Sequence, residues 1–204
     1  MSRLTVVIPC KSGIAPEVTL KSLECQTFRD WVVVMVPDFA CKGAPWARNR
    51  GFELVQSELV LFSDSDICWY PQAFEQMIGT LDAHPEISYA YGSFRLLDKH
   101  GQFTGSIQAA REFDAARLRH MNFVSTMSIM RAKDFVGFDE SLKRLQDWAL
   151  FLDMLELGRI GKHCGHIIFD TCYSEGGITA GSVSWEDAVK QVRRRHQQAK
   201  VENS

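Results

Sequence analysis

No stretch of this sequence approaches the roughly 18 consecutive apolar residues of a membrane-spanning helix, so any membrane contact is expected to be peripheral. The opening apolar run, Leu4–Ile8, is too short for a secretory leader and enters a Pro-Cys-Lys-Ser turn. Cys-x-x-Cys pairs are absent. The six cysteines are scattered at positions 10, 25, 41, 68, 164 and 172, a pattern of reduced thiols and a cytoplasmic chain rather than a disulfide framework. Charge of one sign is lacking too: the formal net charge is −2, which argues against a general nucleic-acid binder. No Gly-x-Gly-x-x-Gly follows an apolar run, which removes the support for a dinucleotide-binding dehydrogenase. Repeats, low-complexity tracts and linkers are also missing, and 204 residues suit one domain with a substantial core.

What is present centres on Leu59–Asp66, Leu-Val-Leu-Phe-Ser-Asp-Ser-Asp. A short apolar run bounded by polar residues predicts a buried strand. In an open α/β sheet, ligands bind beyond the carboxyl ends of the strands, which places Asp64 and Asp66 in the expected crevice. Two carboxylates there suit a magnesium-like cation, which takes one or two protein carboxylates and shares substrate phosphates. A solvated Asp-Ser-Asp turn is the competing account.

Taken in order, Leu4–Ile8 and Trp31–Val36 predict strands, and Glu17–Cys25, Ala44–Ser57 and Pro71–His84 predict amphipathic helices. The first 85 residues therefore alternate strand and helix three times, the pattern of a parallel sheet. Beyond them, Ile87–Leu97 and Gly101–Ile107 predict strands around a turn, and Phe113–His120 a short helix. Asn122–Met130 alternates loosely like a strand, and Asp147–Leu157 predicts a helix closed by Gly158. Ile167–Tyr173 predicts a late strand, and Ser184–Lys200 a capped helix with a basic end, Arg193-Arg-Arg-His196. That end fits a helix C-terminus, and it could also touch anionic lipid. His163-Cys164-Gly-His166 resembles half of a zinc site, but no second pair accompanies it.

Several segments together resemble the family 2 glycosyltransferases over roughly residues 3 to 160. Val6-Val-Ile-Pro and Leu20-Lys-Ser-Leu-Glu-Cys-Gln-Thr resemble the family's opening strand and "SLxxQT" helix. Ala47-Arg-Asn-Arg-Gly resembles its "ARNxG" segment and Asp64-Ser-Asp its "DxD", while Gly137-Phe-Asp-Glu and Gln146-Asp-Trp resemble "GFDE … EDW". The resemblance implies the α/β GT-A fold, a Rossmann-like three-layer sandwich with a mostly parallel mixed central sheet. It divides the chain into a nucleotide-sugar half at 1–98, an acceptor half at 99–183 and a basic helix at 184–204.

It also implies a metal-dependent, inverting transfer of sugar from a nucleotide-diphosphate sugar, with a UDP-sugar the expected donor. The acceptor would be the hydroxyl of a glycan, a lipid-linked molecule or a small molecule. Asp66 is the family-matched contact for Mn²⁺ or Mg²⁺, and Asp64 with Ser65 lies beside ribose or metal. Asp38 and Pro9 fall at the nucleobase, Arg48 at the base or phosphates, and Asp147 at the position of the general base. The sequence leaves the oligomeric state open, a homodimer included. Departures are Pro9-Cys-Lys-Ser for "PTYN", Pro37 for the first aspartate of "DDGS", and Tyr173-Ser-Glu-Gly-Gly without the family's late histidine, where Glu175 is the one substitute.

Competing readings fit less well. A haloacid-dehalogenase phosphatase carries its Asp-x-Asp on the first strand and a Thr two residues later, where Cys68 stands here. A nucleotidyltransferase would open with a Gly-rich basic loop. From another class, an inactive nucleotide-sugar or glycan-binding domain would share the fold, and intact Asp64, Asp66 and Asp147 argue against it.

Overall fold

The structure is a computed structural model that describes residues 2–11, 15–172 and 183–202. The apolar runs of the first half form strands β1 (Leu4–Lys11), β2 (Trp31–Asp38) and β3 (Leu59–Phe62), separated by helices α1 (Glu17–Glu24) and α2 (Ala44–Phe52). β1 pairs in parallel with both of the others, so the chain steps from β1 to one side and then to the other. This reversal opens a crevice at the strands' carboxyl ends. Pairing of β1 with β3 ends at Val7 and Phe62, and Pro9 beyond it has no N–H with which to continue the ladder.

Then come β4 (Ile67–Trp69), α3 (Ala73–Ala83), β5 (Tyr89–Leu97), β6 (Phe103–Gln108), α4 (Ala115–His120), β7 (Ile129–Arg131), α5 (Gln146–Glu156), β8 (Gly161–Cys172) and α6 (Trp185–Glu202). The sheet order is β2-β1-β3-β7-β5-β8-β4, with β6 on β5. β5 and β8 pair in parallel, while β7, β4 and β6 run antiparallel to their neighbours. The sheet is thus mixed, with its parallel block built from the alternating first half.

Strand alternation makes two cores. Val7, Val60, Phe62, Tyr89 and Met130 face a layer containing Ala47 of α2 and Trp148, Phe151 and Leu152 of α5. Val6, Ile8, Leu59, Leu61 and Ile129 face Leu23 of α1 and Phe74, Met77 and Leu81 of α3. Successive strand residues point to opposite faces, so two helix layers sandwich the sheet as the sequence predicts.

Some expectations need correction. α2 stops at Phe52 rather than Ser57, and turns close over Gly51 and Phe52, leaving Leu54 64% exposed instead of facing the sheet. Along α1, Val18 and the C-capping Cys25 are exposed, and Thr19 and Ser22 are buried beside Leu23 in their place. Of Asn122–Met130 only the last two residues enter a strand; before them Ser128 Oγ donates to the Ser125 carbonyl, and Ser125 Oγ accepts from Met127 N–H, curling the backbone out of extension. The late strand starts six residues earlier than predicted, at Gly161. His163-Cys164-Gly165-His166 is an irregularity inside it, where the register with β5 shifts and Gly165 takes a positive φ of 82°. The predicted residues Tyr173 and Glu175 lie outside the described residues.

Gly51 brings α2 against the sheet. A Cβ there would stand 2.3 Å from Val7 Cγ1 and 3.0 Å from Val36 Cγ2. Gly51→Ala is therefore expected to lower Tm by roughly 3–8 °C, overpacking outweighing the better helix propensity of alanine. A thermal melt checks this.

Candidate active site

The Asp-Ser-Asp turn leaves β3 at the crevice, and α1 holds it in place. Thr19 Oγ1 donates to the Asp64 carbonyl at 3.0 Å and accepts from the Ile67 N–H at 3.0 Å. One turn later Ser22 Oγ reaches the Ile67 carbonyl at 3.4 Å. Gln26, fully buried, donates to the Tyr70 carbonyl at 2.8 Å and accepts from the Phe74 N–H at 3.1 Å. Trp69 Nε1 donates to Ser63 Oγ at 3.0 Å, fastening the far side of the turn. Thr19, with Ser22 and Gln26 of the "SLxxQT" segment, is therefore a clamp on the carboxylate turn and the chain that follows it. Sequence reasoning missed this, although positions 19, 22, 23 and 26 form one helical stripe.

The neighbouring α2 supplies the crevice's buried cation. Arg48 is 3% exposed, and its Nη2 donates to Asp64 Oδ1 at 2.5 Å, while the guanidinium lies 5.2 Å from the Phe138 ring centroid. Asn49 donates to the Phe138 carbonyl at 2.9 Å and accepts its N–H at 2.8 Å, so the "ARN" and "GFDE" segments are bolted together through backbone. Asn49 also donates to Glu140, and Asp139 is held by Ser141 and by Arg195 of α6, giving both acids structural partners.

Asp147 sits in the first turn of α5, after Leu145 in a left-handed conformation with φ 60°. One carboxylate oxygen accepts from the Trp148 N–H at 2.9 Å and the other from Asn122 Nδ2 at 2.7 Å. Burial pushes this carboxyl above the usual carboxylate range, against the Trp148 N–H, the charge of Arg48 and the Asn122 amide, which all favour its ionised form. Arg48 thus faces Asp64 and also acts on Asp147. The structure brings these three predicted residues together. Asn122 was not foreseen, since nothing in the local sequence around it carries a motif.

Asp66 is exposed at the mouth of the crevice. Loss of hydration raises its carboxyl, the charge of Asp64 adds to this, and its own backbone N–H opposes it. Ser65 is half-buried between the two acids. Asp38 closes β2, where its two oxygens accept from Lys42 N–H at 2.9 Å and Gly43 N–H at 2.6 Å. It thereby shapes the loop into α2, at the same sheet edge as Pro9.

No group of three or more His, Cys, Asp or Glu side chains able to cage a metal occurs among the described residues. The residues do fit an ion that needs less. Asp64 has its charge answered by Arg48, whereas the groups acting on Asp66 include no cation. One carboxylate in this state matches magnesium or manganese, which complete their shells with water and phosphate oxygens.

Comparison with known proteins bears on the family and the fold. The model of the family "Glycosyl transferase family 2" matches residues 17–138. The Escherichia coli UDP-Glc:alpha-D-GlcNAc-diphosphoundecaprenol beta-1,3-glucosyltransferase WfaP is 24% identical over 157 residues, which cover 76% of this chain and 60% of WfaP. An uncharacterised glycosyltransferase of Haemophilus influenzae is 23% identical over 131 residues, covering 61% of this chain and 45% of that protein. Among solved structures, S. aureus TarS 1–349 in complex with UDP-GlcNAc superposes with a TM-score of 0.75 at 17% identity, over 95% of this chain and 65% of TarS 1–349. TarS 1–349 with UDP gives 0.66 at 16% identity, over 96% and 70%. The chain thus spans about two thirds or less of the relatives compared first, and the likeness to TarS is one of fold.

Proposed function

We propose, for a chain that belongs to glycosyl transferase family 2, that it transfers a sugar from a UDP-sugar to an acceptor hydroxyl with inversion at the anomeric carbon. The observation that carries this reading is the cluster of Asp64, Arg48 and Asp147 at the carboxyl edge of the sheet, with Asp66 beside it. UDP is taken as the nucleotide because UDP-GlcNAc and UDP occupy TarS and UDP-Glc is the donor named for WfaP.

In this reading the nucleotide lies along the ends of β1–β3, the nucleobase between Pro9 and Asp38, the ribose by Asp64 and Ser65, and the diphosphate near Arg48 and Asp66. When bound at Asp66, Mn²⁺ or Mg²⁺ supplies Lewis-acid stabilisation of the departing diphosphate. Asp147 removes the proton of the acceptor hydroxyl as its oxygen bonds to the anomeric carbon from the opposite face. The bond from that carbon to the diphosphate oxygen breaks, and its electron pair leaves on UDP. Burial of Asp147 supports the role, since a base with a raised pKa is stronger, and Arg48 and Asn122 keep it ionisable.

Residues 1–98 then form the donor half and 99–183 the acceptor half. A lipid-linked saccharide is the acceptor class favoured by WfaP. Among the described residues no helix is long and apolar enough to cross a membrane. The exposed Lys190, Arg193 and Arg194 of α6 offer a basic face to anionic headgroups, for peripheral contact.

The test is transfer from UDP-glucose or UDP-GlcNAc, with Mg²⁺ or Mn²⁺, to a short-chain polyprenyl diphosphate carrying GlcNAc. A β-linked product from the α-linked donor, read from the anomeric proton coupling, is expected. An α-linked product would rule out the single-displacement role of Asp147.

A further inference from the structure

Asn122 occupies an irregular segment between α4 and β7, with no helix or strand to fix it. Its side chain is fixed at both ends instead. Oδ1 accepts from the Val124 N–H at 3.2 Å, and Nδ2 donates to Asp147 Oδ2 at 2.7 Å. A backbone N–H can only donate, so it sets the orientation of the amide and leaves the NH₂ group facing the carboxylate. The next residue, Phe123, lies against Tyr91 with ring centroids 6.2 Å apart, and Val124 is buried. The bond is thus anchored in the core rather than in a mobile side chain. The carboxylate is also met by the Trp148 N–H at 2.9 Å and by its own backbone N–H, and the charge of the Arg48 guanidinium acts on it from α2.

We infer that Asn122 is the positioning residue of the base: its Nδ2 holds the Asp147 carboxylate in one orientation and in the ionised form, leaving the remaining lone pairs for the acceptor proton. The inference rests on the proposed role of Asp147. An amide can donate to a carboxylate without ever taking its proton, which a carboxylic acid or histidine at 122 could not guarantee. A hydrogen bond to the charged form lowers a carboxyl's pKa, opposing the burial that raises it. The functional signature is therefore a pH effect as well as a rate effect.

The experiment compares wild type, Asn122→Ala, Asn122→Asp and Asp147→Asn. Asn122→Asp keeps size and the acceptor for Val124 N–H, so it preserves the segment if alanine does not fold. UDP release from UDP-glucose and UDP-GlcNAc, with water as acceptor, is followed from pH 4 to 9, and ¹³Cγ-aspartate NMR titration reads the Asp147 carboxyl itself, its resonance identified by loss in Asp147→Asn. In Asn122→Ala the Asp147 titration and the acid limb of the rate profile should move up by about one pH unit, with kcat lowered roughly 10–100-fold and UDP affinity unchanged. Asn122→Asp should move both further, because a second carboxylate disfavours ionisation of the first. An unmoved Asp147 titration, or an unmoved acid limb in an otherwise slow Asn122 variant, overturns the inference while leaving the base in place. Full turnover by Asp147→Asn overturns the base reading itself, and the inference with it.

Discussion

Asp147→Asn is expected to lower kcat/KM for transfer about 10³-fold, within the range that a positioned general base contributes. The substitution keeps volume and removes the proton-accepting charge. Its effect on folding should be small: the carboxylate is penalised by burial, and the amide relieves that penalty while disturbing one of the bonds from Trp148 N–H and Asn122. Tm is expected to stay within about 3 °C of wild type, so lost activity is not lost fold. Donor affinity should also persist, because the nucleotide is held by other residues. In wild type the sign of the pH effect is fixed by the raised pKa. The base form exists above that pKa, so activity falls as pH drops through it, at higher pH than for an ordinary aspartate. The stability sign is opposite. Folding raises this pKa, so the ionised form costs stability at neutral pH, and acidification through the folded pKa recovers it. Rate profiles of the two proteins, with melts alongside, test each part.

Arg48→Met is the second large effect, and it should appear in both stability and function. The guanidinium is almost fully buried, pairs with Asp64 at 2.5 Å and lies over Phe138. Methionine keeps apolar packing but leaves Asp64 without its cation. That carboxylate is part-exposed, so water recovers some of the loss, and a cost of about 2–3 kcal/mol is expected, or roughly 4–10 °C in Tm. Removing the positive charge also leaves Asp64 and Asp66 repelling each other and the incoming diphosphate, and withdraws one of the influences that keep Asp147 ionised. Donor affinity should fall at least about tenfold. Arg48→Lys should recover part of the affinity and little of the stability, since an ammonium restores charge without the planar fork that spans Asp64 and Phe138. Calorimetric titration with UDP and thermal melts separate the two effects.

The alternating first half was legible because its strands begin as short apolar runs, Leu4–Ile8, Trp31–Val36 and Leu59–Phe62, although the first two continue through Pro9 to Lys11 and through Pro37 to Asp38 rather than stopping at the prolines. The second half was harder to read. β7 is three residues long and gains its strand character from neighbours β3 and β5, so local pattern could not bound it. β8 carries an irregularity at His163–His166 that breaks period two, which hid its first six residues. At the site, acids announced themselves by type, and family motifs pointed to Arg48 and Asp147. The groups that fix them did not, because Thr19, Ser22, Gln26 and Asn122 act through one or two hydrogen bonds each to residues 25 to 48 positions away. Such partners become visible only once the chain is folded.

The central claim, a UDP-sugar site completed by a divalent ion at Asp66, is tested most directly by thermal shift with UDP-, GDP-, CDP- and dTDP-sugars, each with and without Mn²⁺, on wild type and Asp66→Asn. A ligand that binds only the folded state stabilises it by about 2.7 kcal/mol at a hundred times its Kd, roughly 5–11 °C for a chain of this size. The account predicts that UDP-sugars raise the wild-type Tm in a Mn²⁺-dependent manner and that Asp66→Asn loses the Mn²⁺-dependent part. Stabilisation by no nucleotide sugar, or an equal response from both proteins with and without the metal, would contradict it.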